Sequence, residues 1–101
     1  MPNTLTKAIV AKITAAPGSE SGLADLLTSA VELANQEAGT VVWFAVQTEP
    51  GTFWIFDAFA SEEDRQDHAN GQIVAALGDN AHLLGAEPEI MPAEILASKM
   101  P

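Results

Sequence analysis

The chain has no cysteine, no tyrosine, and only four lysines or arginines among its 101 residues. Without cysteine there is no disulfide, no thiolate nucleophile and no cysteine-based zinc or iron–sulfur site. Lys7, Lys12, Arg65 and Lys99 are never adjacent, and the net charge is −10. That charge repels phosphate backbones and anionic headgroups, so neither nucleic acid nor a membrane surface is an expected partner. No apolar run approaches the ~18 residues of a membrane span. The N-terminal apolar run Ala8–Ala11 is broken by Lys12, unlike a secretion signal, so a cytoplasmic location is expected.

What the chain does have is apolar residues in periodic blocks, in a length that suits one domain with a modest core. Residues 1–6 read as a loose tail. Ala8–Thr14 is β-branched and strand-like, ending at Ala16-Pro17-Gly18. Ser19 or Ser21 caps a helix over residues 20–38, whose leucines and alanines recur at helical spacing, and Gly39 reads as its left-handed stop. Val41–Thr48 and Phe53–Ala60 are strands joined by the turn Glu49-Pro50-Gly51-Thr52. Ser61 opens a second helix, with Asp64 completing a weak capping box. Asn70-Gly71 interrupts that helix, and Asn70 is a candidate cap for a second segment. Ala81–Leu84 is a short turn, and Glu89–Ser98 is the last strand. The order β-α-β-β-α-β is the α+β, ferredoxin-like pattern: a four-stranded antiparallel sheet with its helices on one face.

The hairpin strands are apolar on both faces. Val41, Trp43, Ala45 and Gln47 alternate with Val42, Phe44, Val46 and Thr48; Phe53, Ile55, Asp57 and Phe59 alternate with Trp54, Phe56, Ala58 and Ala60. Helices can cover only one face. Burying several hundred Å² of the other is worth on the order of 10 kcal/mol before association costs. A homodimer through the sheet face is therefore expected.

Asp57 is the one charge in its strand, and His68 lies seven residues past the helix-opening Ser61. A carboxylate in an apolar strand must have a partner or water, and Arg65 is one candidate partner. His68 titrates near neutral pH, and its polar neighbourhood of Arg65 and Asp67 also fits a solvent-facing residue. The acids Glu62, Glu63, Asp64 and Asp67 lack the spacing of a calcium loop, and no metal site is expected.

The run Ile55–His68, IFDAFASEEDRQDH, resembles the strand–helix junction of the antibiotic biosynthesis monooxygenase family, a branch of the dimeric α+β barrels. Phe56, Asp57, Phe59, Ser61-Glu62-Glu63 and His68 carry the resemblance, and Leu83–Ile90 resembles the family's run into its last strand. It extends over residues 7–99. Phe59 stands where a tryptophan is frequent, and the lack of tyrosine means that no family mechanism using a tyrosine hydroxyl of the protein transfers to this chain. The resemblance implies a cofactor-independent monooxygenase acting on a hydroquinone-like or polycyclic phenolic substrate. His68 would be the base and Asp57 its support, with Trp43, Trp54, Phe56, Phe59 and Asn35 as candidate substrate-binding residues. The alternatives, in order, are a non-catalytic ligand-binding or stress-associated barrel and a haem-binding protein using His68 or His82.

Overall fold

The structure is a computed structural model that describes residues 5–100. Its elements are β1 (Lys7–Thr14), α1 (Glu20–Asn35), β2 (Thr40–Glu49), β3 (Thr52–Phe59), α2 (Glu62–Ala69), α3 (Gln72–Asp79), a 3₁₀ turn (Ala81–Leu83) and β4 (Glu89–Glu94). The strands form one antiparallel sheet in the order β2-β3-β1-β4. This is the expected α+β, ferredoxin-like arrangement. No helix among the described residues is long and apolar enough to cross a membrane.

Strand alternation divides the sheet cleanly. Phe53, Ile55, Asp57 and Phe59 of β3 are buried on one face, level with Ile13, Ala11 and Ile9 of β1. The helices cover this face. Leu23, Leu27, Ala30 and Ala34 of α1, spaced one helical turn apart, are buried here, as are Ile73 and Leu77 of α3. On the other face Phe44, Val46, Phe56 and Met91 remain 54, 49, 41 and 42% exposed. Phe44 and Phe56 sit opposite each other with ring centroids 6.0 Å apart. Lys12 on the same face lays its ammonium 5.8 Å from the Trp54 ring.

Several local expectations are corrected. The first four residues of the tail lie outside the described ones, but Leu5 is buried and the Thr6 carbonyl accepts from the Ile95 amide at 2.9 Å. Helix α1 stops at Asn35, and Gly39 does not have a positive φ; only Gly18 and Gly51 do, at 86° and 84°. Gly39 is needed for proximity instead, since a Cβ there would lie 2.4 Å from Asp64 Cγ. Strand β4 ends at Glu94 rather than Ser98: β1 begins at Lys7, opposite Glu94, and among the described residues the last backbone bond along this edge is that of the Ile95 amide to the Thr6 carbonyl. Asn70 closes α2, its side chain donating to the Gln66 carbonyl, and Gly71 precedes α3.

Leu23 is fully buried at the centre of the main core cluster. Leu23→Ala should lower unfolding free energy by about 3–5 kcal/mol in urea titrations, through lost burial and the cavity left behind.

Candidate functional site

Helix α2 is polar on every side, and His68 is its single buried residue. Its start is set by Ser61, whose hydroxyl accepts the Asp64 amide at 3.1 Å. Arg65 ties it to the sheet edge by donating to the Ala8 and Ala93 carbonyls at 3.2 and 3.0 Å, beside Glu62 and Glu94. In the last turn, His68 points inward at β3.

There the imidazole lies between two carboxylates. His68 Nδ1 is 2.6 Å from Glu37 Oε1, and Nε2 is 2.8 Å from Asp57 Oδ2. The Thr40 hydroxyl donates to the same Glu37 oxygen at 2.7 Å. Carboxylate oxygens only accept, so two such approaches are favourable when both ring nitrogens carry protons. Burial pulls the His68 pKa down, but Asp57 and Glu37 outweigh it, leaving the ring above its ordinary value. The two carboxylates thus favour the imidazolium form of the ring. The Phe59 ring packs on it at 5.2 Å between centroids.

Asp57 is 1% exposed, and neither of its oxygens has a hydrogen bond of good geometry. The Nε2–Oδ2 contact of 2.8 Å is a close ion pair. Among the described residues, Oδ1 has no donor. The pair borders a small apolar cavity of about 50 Å³, whose walls include Ile9, Ile55, Ile73 and Leu77. On the outer side of His68 a cleft of about 430 Å³ is lined by the acids Glu37, Asp64 and Asp67, by Thr40, and by Leu33 and Ala38.

Residues 7–78 match the antibiotic biosynthesis monooxygenase family. The chain belongs to that family. A protein of unknown function from Nitrosomonas europaea is 50% identical, with a TM-score of 0.95 over 99% of this chain and 98% of its own. A Pseudomonas aeruginosa protein shares the fold at 23% identity and a TM-score of 0.80, covering 96% of this chain and 100% of its own. A candidate antibiotic biosynthesis monooxygenase from Nitrosomonas europaea does so at 12% identity and 0.79, covering 90% of each chain. None of the curated proteins matches.

Of the residues that the family resemblance singled out, His68, Asp57 and Phe59 come together. Trp43 lies on the same sheet face, directly opposite Asp57 in register, with its indole nitrogen buried and unpartnered. Trp54 and Phe56 do not join them: strand alternation puts both on the opposite, uncovered face, away from His68. Asn35 ends α1 in an exposed position and reaches no cavity described above. Arg65 pairs with Glu62 and Glu94, not with Asp57. Glu37 is a contact that the sequence reading missed. A carboxylate just past a helix C-terminus sits against the helix dipole, and that mismatch was the available signal. No group of three or more metal-binding side chains occurs among the described residues. Of the two histidines offered for a haem iron, His68 has both ring nitrogens against carboxylates, and His82 is exposed in the 3₁₀ turn.

Because the folded pKa of His68 is raised, its stabilising contribution is fully present below the unfolded value of about 6.5 and is lost as pH rises through the folded one. Urea midpoints of the wild-type protein should therefore fall from pH 6 towards alkaline pH, and His68→Gln should flatten that slope. Leaving Asp57 without its cation should also cost about 3–5 kcal/mol at pH 6.

Proposed function

We propose that the protein is a cofactor-independent monooxygenase acting on a hydroquinone-like or polycyclic phenolic substrate, with His68 as base and Asp57 accepting the substrate hydroxyl. One observation carries this reading. A buried carboxylate with an oxygen free of any donor faces an apolar cavity and touches a titratable imidazole. A hydroxyl on a flat apolar molecule would satisfy that oxygen.

The substrate supplies the electrons. Removing a hydroxyl proton makes the ring electron-rich enough to reduce O₂, and a ring carbon binds it as a hydroperoxide. The O–O bond then breaks, that carbon gives up its hydrogen as a proton, and the departing hydroxide leaves as water. Hydroquinone and O₂ thus give hydroxyquinone and water. One oxygen atom enters the ring, the other is reduced to water, and all four electrons come from the substrate. The protein's work is to bind the ring, take the proton and keep solvent away. The base is the neutral form of His68, so the rate follows the loss of the imidazolium proton. Glu37 does not meet the substrate; it positions the ring and raises its basicity.

We also propose that the uncovered face, with Phe44, Val46, Phe56 and Met91, pairs with the same face of a second copy. Light scattering after size exclusion should give about twice 10.6 kDa, and a stable monomer at micromolar concentration would end this claim.

Oxygen consumption with a panel of hydroquinones and anthrones tests the reaction. Wild-type protein should exceed the uncatalysed rate, and His68→Ala and Asp57→Asn should lose roughly 10²–10⁴-fold. No uptake, or equal uptake by all three, would leave the protein as a ligand-binding member of the family. The rate should climb with pH above about 6.5. Glu37→Gln removes a carboxylate that raises the His68 pKa, so its ascending limb should lie at lower pH.

A further inference from the structure

We infer that the substrate ring seats against Val74, Leu77 and Ile90, and that these side chains set the ring size the site accepts; the inference rests on the phenolic reading above. The cavity at Asp57 and His68 has a volume of about 50 Å³. An apolar hollow of about 150 Å³ is the scale that holds a benzene ring. The inner cavity therefore has room for a hydroxyl and the near edge of a ring, and the remainder must lie outside it.

Two larger spaces share lining residues with this inner cavity, and they differ in how they meet it. The cleft at Glu37 is walled by the acids Glu37, Asp64 and Asp67 with His68 among them, and His68 is the one residue it shares with the inner cavity. The other is a groove of about 590 Å³ between α3 and the segment leading into β4. Val74, Leu77 and Ile90 line both this groove and the inner cavity, so they form the wall between them. The rest of the groove is mainly Ala81, Leu84, Ala86 and Pro88, and Glu87 is its one charged residue. A flat molecule lying in the groove with its hydroxyl towards Asp57 must pass this wall.

The three wall residues differ in freedom. Leu77 is 6% exposed and belongs to the core cluster, so it is fixed. Val74 is half-buried on α3, where a β-branched side chain has one dominant rotamer. Ile90 is 42% exposed on β4 and can be changed with little cost to folding. Val74 and Ile90 are thus the positions at which ring size is selected.

Calorimetric titration with phenol, 1-naphthol and 9-phenanthrol tests this without turnover. Val74→Ala and Ile90→Ala should raise the preference for 9-phenanthrol over phenol by about 10-fold or more, and Ile90→Phe should lower it similarly. The same order of preference in wild type and all three variants would overturn the inference. The Ile90 pair decides the matter should a Val74 variant fold poorly. Asp57→Asn should weaken all three phenols alike. If it binds them as tightly as wild type, the hydroxyl reading of Asp57 falls, while the wall is still judged by its own variants. Binding of none of the phenols by wild type would overturn both.

Discussion

The contact of His68 with Asp57 and Glu37 joins parts of the molecule that apolar packing alone does not join. Helices α1 and α3 are held to the sheet by leucine, isoleucine and alanine. Helix α2, sequence EEDRQDHA, has no apolar stripe to bury. It is fastened by Arg65 to two sheet carbonyls and by His68 to carboxylates from β3 and the α1–β2 junction. Buried charges bring a large desolvation cost, and a lone Asp57 at 1% exposure would be strongly unfavourable. The imidazolium makes that carboxylate tolerable, and the carboxylates keep the ring charged. Each member is stable there only because of the others, so folding of this corner and the protonation of His68 are linked.

The same arrangement limits the chemistry. A ring held between two carboxylates is favoured in its protonated form, and it becomes a base only as that proton is lost. Glu37, on the cleft side, is the more accessible carboxylate; Asp57 faces the apolar interior. The geometry therefore separates a solvent side, where the charge state is held, from a dry side, where an oxygen lacks a donor. Phe59 packs against the imidazole instead of lining the cavity, which keeps the ring orientation fixed without adding a polar group.

Much of this was legible because the signals were local. Alternation in the hairpin strands separated Asp57 and Phe59 from Trp54 and Phe56 correctly, and the cap at Ser61 placed His68 one element away from β3. Alternation does not say which face the helices cover, so Trp54 and Phe56 stayed candidates until the packing of α1 and α3 decided it. Glu37 was not legible because its contact spans 31 residues and depends on how tightly the α1–β2 junction approaches α2. Gly39 illustrates the same point. A glycine after a helix reads as a left-handed stop, but here it is set by an approach to Asp64 that only the folded chain creates. Arg65 is a candidate partner of Asp57 by sequence, whereas in the fold it meets the Ala8 and Ala93 carbonyls and Glu94.

Strand β3 is where the two halves of the functional argument meet. Its odd-numbered residues, Asp57 and Phe59 among them, build the site under the helices. Its even-numbered residues, Trp54 and Phe56, build the uncovered face on the other side. A single strand cannot shift one set without moving the other, because successive side chains share the backbone between them. A second copy packed on the open face would restrain the backbone that aims Asp57, even though it adds no residue to the cavity. The apolar doubling that makes β3 unusual as a sheet strand is thus also what would hold its one carboxylate steady against His68.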